Sequence, residues 1–184
     1  MVPEGSYRSL SEAQALSLIE IMDYPWNVFY QMMWETGVRV SEGLNIKAAD
    51  IIDHSLRVRT LKRKDASRLI PLMPLLEEKL KMIRSVKGYL FSYSRVAAWK
   101  VLQRAAAQVG IPPQDAHPHV FRHSFAVHQI ALRSMFAEND AQRLTAMAEV
   151  QYLLGHKSFN STAIYLKPRY EDVERNFRRV RQKR

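Results

Sequence analysis

His119 and Arg122 stand three residues apart in the segment His117-Pro118-His119-Val120-Phe121-Arg122-His123. The proline suits the first turn of a helix, so the two side chains share one face near its N-terminus. A proton carrier beside a permanent cation, close to the positive end of a helix, suits a phosphate. His123 adds a second histidine at the spacing of a zinc-binding H-E-x-x-H helix. Val120 stands where that motif has its base, and no cysteine or nearby carboxylate completes a metal set, so no metal is expected. His156 follows Leu153-Leu154-Gly155, where the glycine reads as the cap of an apolar helix. Arg39 follows Gly37, and Glu42 lies three residues further on, where it can hold the arginine in place. Taken alone, that pair would be a surface ion pair worth little. Tyr165 is one of eight tyrosines, and its local context favours packing.

The charge points the same way as the His119–Arg122 pair. Lys plus Arg is 28 against 18 acids, a formal charge of +10. A polyanion is the natural partner, because each cation placed on a phosphate releases condensed counterions. The cations are also clustered. Arg57, Arg59, Lys62, Arg63, Lys64 and Arg68 fall within twelve residues, and Arg175, Arg178, Arg179, Arg181, Lys183 and Arg184 crowd the last ten. Neither cluster makes the apolar-faced basic helix of a membrane surface. The absence of cysteine excludes disulfides, thiolate metal sites and a cysteine nucleophile, and fits a reducing interior. No apolar run approaches the ~20 residues of a membrane span, and the first residues lack the order of a secretory signal.

These residues must be positioned by helices and one short sheet. Ser11-Glu12 opens a helical pattern through Ala15, Leu18, Ile19 and Met22. Pro25 starts a second helix through Val28, Phe29, Met32 and Met33, stopped by Gly37. A short helix follows from about Val40 to Asn45. The period then changes: Leu56 to Leu61 alternates as a strand, Arg68 to Leu72 reads as its partner, and Lys62 to Ala66 form the turn. Pro71 suits a strand end or an edge. Helices are predicted over about 74–86, 92–109, 118–134, 138–154, 158–166 and 170–182. Gly110-Ile111-Pro112-Pro113 separates two helices rather than two domains. The expected class is mainly α with a small antiparallel β-hairpin or sheet, in one domain over 1–184.

Taken together and in order, these segments resemble the catalytic domain of the tyrosine recombinases, the phage integrase family. Thr36-Gly37-Val38-Arg39-Val40-Ser41-Glu42 matches its T-G-x-R-x-x-E segment, with Gly43 where leucine is usual and Leu44 one place late. His119, Arg122 and His123 match H-x-x-R-H, residues 153–156 match L-L-G-H, and Thr162 and Tyr165 match T-x-x-Y. Single pieces are weak signals; four in order from about Leu10 to Leu166 are strong.

The resemblance implies that Arg39 and Arg122 clamp the non-bridging oxygens of a scissile phosphate. It implies that Tyr165 attacks in line and leaves a 3′-phosphotyrosyl enzyme and a free 5′-hydroxyl. His119 and His156 would assist by proton transfer and hydrogen bonding, and which of them takes the tyrosine proton stays open. A hairpin lysine would protonate the leaving oxygen: Lys62, at the strand end, with Lys64 as the alternative. Glu42 and His123 would support the site, and Arg57, Arg59, Arg63, Lys64 and Arg68 would contact DNA. No cofactor is implied. The implied partners are double-stranded DNA and further copies of the chain, as a tetramer assembled through the tail 167–184, in a prokaryotic cytoplasm at the nucleoid. The catalytic core would span about 10–166, without the N-terminal clamp domain usual in the family. Type IB topoisomerase activity and a non-catalytic DNA-binding module are the competing readings. The stretch Arg133 to Arg143 looks inserted relative to the family; it extends a helix, makes a partner contact or, most simply, is a tolerated surface insertion.

Overall fold

The computed structural model describes residues 9–60 and 66–156. Its first helix, α1 (Glu12–Ile21), begins with a reciprocal cap: Ser11 Oγ accepts from the Gln14 amide, and Gln14 Oε1 accepts from the Ser11 amide. The second, α2 (Trp26–Thr36), buries Val28, Phe29, Tyr30, Met32, Met33 and Thr36, which places it at the centre of the molecule. Its aromatic side chains meet edge to face, with Phe29 and Phe91 centroids 5.0 Å apart. The Tyr30 hydroxyl donates to the Ala98 carbonyl at 2.8 Å. Gly37 ends α2 in the left-handed conformation, φ 64°. A single turn, α3 (Val40–Gly43), follows with Arg39 as its N-cap.

The sheet has three antiparallel strands in the order β1 (Ile51–Ile52), β2 (Ser55–Arg59), β3 (Ser67–Pro71). The central β2–β3 pairing and the terminal, edge-strand Pro71 agree with the sequence; the two-residue β1 was not anticipated. In the register of β2 and β3, Leu56 faces Ile70 and Val58 faces Arg68, while Arg57 faces Leu69 and Arg59 faces Ser67. Directly paired residues share a face, so Arg68 lies on the core side with Leu56, Val58 and Ile70, all buried.

The helices that follow are α4 (Pro74–Met82), α5 (Arg95–Gln108), α6 (Pro118–Met135) and α7 (Asp140–Leu154). The first two are shorter than the apolar pattern suggested. Ile83 turns extended, and residues beyond it return to the segment ahead of the sheet, with the Ala48 amide donating to Gly88 O and the Leu90 amide to Ile46 O. Ser94 caps α5 through the Ala97 amide, which excludes residues 92–94 from the helix. Arg133 to Arg143 finishes α6, turns through Phe136 to Asn139, and opens α7, where the Asn139 side chain accepts from the Gln142 amide. The predicted helices 158–166 and 170–182 lie outside the described residues. Among the described residues, no helix is long and apolar enough to cross a membrane.

One main core runs from α1 and α2 through the sheet to α5 and the start of α6. A second, smaller cluster of Phe125, Ala126, Ile130, Val150 and Leu154 joins α6 to α7. Side chains of this size contribute about 1.5–3 kcal/mol each when fully buried. α7 is therefore docked by few of them, and polar contacts at its C-terminal end complete the attachment.

Candidate active site

Glu42 is the centre of the site. Its side chain is 2% exposed. Oε1 accepts from Arg39 Nη1 at 3.0 Å and from Arg68 Nη1 at 3.3 Å; Oε2 accepts from the Arg39 amide and from Arg68 Nη2, both at 2.9 Å. Arg122 Nη1 lies 4.0 Å from Oε2. Burial pushes the Glu42 carboxyl up, but the hydrogen bonds and charges of Arg68 and Arg39 outweigh it and hold the group below the ordinary carboxylate value. Three guanidiniums against one carboxylate leave the centre net positive, as an anion site requires.

The two arginines expected at a phosphate differ in exposure. Arg39, as the cap of a single-turn helix, keeps 36% of its side chain exposed. Arg122, in the second turn of α6, is almost fully buried. It donates through Nη1 to the Gly37 carbonyl at 2.8 Å and through Nη2 to the Leu154 carbonyl at 2.7 Å and to His156 Nε2 at 2.9 Å. One guanidinium thus joins the C-terminal ends of α2 and α7, where carbonyls lack helical partners.

That contact also fixes a tautomer. A guanidinium has no lone pair to offer, so His156 Nε2 is the acceptor and the neutral ring carries its proton on Nδ1. Partial burial first, then the charges of Arg122, Arg39 and Arg68 against the opposing Glu42, bring the His156 pKa down from 6.5 to about 4. His119 sits on the exposed face of α6. Desolvation, followed by His117, Arg122 and Arg39, lowers its pKa as well. Both imidazoles are therefore neutral at pH 7, and His156, with its Nε2 lone pair held by Arg122, keeps Nδ1–H as a hydrogen-bond donor. His123 is half buried on the same helix.

The structure thus brings together Arg39, Glu42, Arg122 and His156, with His119 within reach of the same charges. One residue expected at the DNA lies in the interior. Arg68 has its side chain 5% exposed and commits its guanidinium to Glu42 and to the Leu153 carbonyl, Nε to O 2.8 Å. Alternation along Arg68-Leu69-Ile70-Pro71-Leu72 carried this signal: Arg68 has the parity of Ile70 and Leu72, which are buried. Arg57 and Arg59 lie on the outer face, 37% and 46% exposed, and both bond to the buried Asp50 carboxylate. Lys62, Arg63, Lys64 and Tyr165 lie outside the described residues.

Residues 8–172 match the model of the phage integrase family. The chain is 31% identical over 167 residues to tyrosine recombinase XerD of Listeria monocytogenes, covering 80% of this chain and 52% of that protein. It is 31% identical over 182 residues to tyrosine recombinase XerA of Pyrococcus furiosus, covering 89% and 58% respectively. The chain spans about half the length of the curated relatives it matches. Among solved structures, a XerA recombinase superposes with TM-score 0.72 at 24% identity, over 97% of this chain and 67% of that one. The catalytic domain of bacteriophage HP1 integrase superposes with TM-score 0.63 at 22% identity, over 86% of each chain. At these identities the structural likeness is one of fold: helices around a small antiparallel sheet, as in those recombinase and integrase chains. By the match of its sequence over most of its length, the chain belongs to the phage integrase family.

Proposed function

We propose that this chain is the catalytic part of a site-specific recombinase that cuts and rejoins double-stranded DNA through a 3′-phosphotyrosyl intermediate. The observation that carries the reading is the convergence of Arg39, Arg122 and His156 around the buried Glu42, in the order in which the family motifs run. Arg39, the more open of the two arginines, contacts the non-bridging oxygens. Arg122 supplies a fixed charge beside them and stabilises the transition state without rearranging. Tyr165 attacks phosphorus, the bond to the 5′-oxygen breaks, and Lys62 (or Lys64) gives that oxygen its proton. His119 and His156, both neutral, serve as the proton-transfer and hydrogen-bonding groups. His123 packs in support on the same helix. Rejoining reverses these steps with a new 5′-hydroxyl, so the phosphotyrosyl link conserves the bond energy.

On this reading Arg57, Arg59, Arg63 and Lys64 line the DNA-facing side of the hairpin, and the net charge of +10 draws the duplex in. The core of about 10–166 carries the chemistry, and the basic tail 167–184 contacts a neighbouring copy in a tetramer that holds two duplexes. XerH in a solved structure is bound to its difH substrate after cleavage, a DNA complex of the kind proposed for this chain.

The decisive experiment uses a nicked suicide duplex. The wild-type protein forms an SDS-stable protein–DNA adduct and Tyr165→Phe forms none; an adduct that persists in the Phe variant sinks the nucleophile assignment. Lys62→Ala fails on a normal phosphodiester and recovers on a 5′-thio leaving group, whose departure needs no proton. Full activity of Lys62→Ala on the ordinary substrate moves the role to Lys64.

A further inference from the structure

We propose that Arg68 is a positioning residue of this site, a rigid tie that fixes Glu42 relative to the turn bearing His156; the inference rests on the recombinase reading above. Arg68 bridges three elements. From β3 it reaches Glu42 of α3 with both terminal nitrogens, at 3.3 and 2.9 Å, and the last turn of α7 with Nε, 2.8 Å from the Leu153 carbonyl. Only a planar fork satisfies these acceptors at once; an ammonium on a flexible stem has one nitrogen to place.

The turn itself is shaped to receive that guanidinium. Gly155 adopts φ 63°, and a Cβ there would stand 2.9 Å from Arg68 Nη1 and 3.1 Å from Cζ. The backbone just before His156 therefore approaches the Arg68 guanidinium closely, and a side chain at 155 would displace it. A second link runs parallel, from the Leu69 amide to the Tyr152 hydroxyl at 3.4 Å. Arg122 holds the same turn from the opposite helix through Leu154 and His156. The His156 ring is thus set by two arginines, one from α6 and one from β3, and the β3 arginine also orients the carboxylate that orients Arg39. Arg68 acts on the phosphate through Glu42, Arg39 and His156 and touches no substrate.

The test uses the full chain with Arg68→Lys and Arg68→Met, on the same nicked suicide duplex. Expected is a single-turnover adduct rate at saturating DNA that falls about tenfold for Lys and further for Met. The half-saturating DNA concentration and the salt dependence of binding stay as in wild type. A DNA-contacting arginine would behave oppositely, reducing the salt slope by about one with the saturated rate preserved. That outcome, or an unchanged rate in both variants, overturns the proposal. The His156 ring resonances, followed against pH without DNA, give a readout independent of cleavage. Among the described residues the groups acting on that ring are Arg122 from α6, Arg39 ahead of α3, Arg68 from β3 and the opposing Glu42 from α3. Removing Arg68 takes away a cation and releases Glu42's charge, so the His156 titration moves up toward the ordinary histidine range in Arg68→Met. If Met prevents folding, the Lys variant is titrated instead; there the kept charge leaves a smaller rise from loss of the fork's geometry. An unmoved titration in a folded variant overturns the proposal even if the wild type forms no adduct, a result that would sink the recombinase reading separately.

Discussion

Glu42 is enclosed so completely that it has no water to fall back on, and Arg68 is buried with it. Breaking such a pair from one side leaves a buried charge uncompensated, at a cost of about 3–5 kcal/mol. Glu42→Gln is therefore expected to lower the urea midpoint sharply as well as the cleavage rate. A stability equal to wild type would show that the arginines find water in the variant. The acid side of the stability curve has two parts, both losses as pH falls. His156 has an ordinary value of 6.5 and a folded value of about 4, so between these limits the unfolded chain binds more protons and stability drops. Glu42 has its folded value below 4.5, so its contribution is complete above 4.5 and disappears as the pH passes below the folded value. Urea midpoints of His156→Gln against pH should lose the part between 6.5 and 4 and keep the lower one. An unchanged slope between those limits in the variant would mean that His156 is not the group responsible.

Among the elements, the two helix ends that meet at the site explain why glycine stands at both. Gly37 and Gly155 each adopt left-handed φ, and each lies under a neighbour: a Cβ at 37 would come within 2.3 Å of the Phe125 ring, and one at 155 within 2.9 Å of Arg68. Gly110 shares the conformation, φ 72°, but has nothing within 4 Å. The three alanine variants therefore separate two costs. Gly110→Ala pays only for the backbone, about 1 kcal/mol. Gly37→Ala adds a clash with a ring on the neighbouring helix α6 and should cost about 3 kcal/mol. Equal losses at 37 and 110, read from urea midpoints, would rule out the Phe125 contact as a constraint. The helix ends at Gly37 and Gly155 were legible from sequence, because a cap is a local event. The ends of α4 and the start of α5 were less so. Past α4 the apolar pattern continues into residues whose backbone is committed elsewhere, Val86 and Tyr89 to each other and Leu90 to the Ile46 carbonyl, and ahead of α5 it runs over the Ser94 cap. Local periodicity does not show these partners.

Across the molecule, stability is unevenly distributed. α7 buries Ala146, Val150 and Leu154, against six buried side chains on α2, and its C-terminal end is held by Arg68 and Arg122. Amide exchange followed by mass spectrometry should show α7 opening before α2 and α6, and Arg68→Lys should accelerate α7 selectively. Uniform exchange across the three helices would contradict this picture. The sequence alone pointed to the family and to the mainly helical class with its hairpin, and it singled out Arg39, Glu42, Arg122 and His156, which the fold brings together. Those inferences rest on local periodicity and on ordered motifs, and both are written along the chain. Tertiary structure decided which cations serve the interior and which face outward. Arg57, Arg59 and Arg68 read alike as members of one basic cluster, yet Arg68 alone has the strand parity that turns it inward, and only packing supplies Glu42 and the Leu153 carbonyl to receive it. Arg122 likewise reaches its backbone acceptors only because α2 and α7 end on either side of it. A charge takes its role from the partners that surround it, and those partners lie 85 residues away along the chain for Arg68 and Leu153, a distance that no local pattern spans.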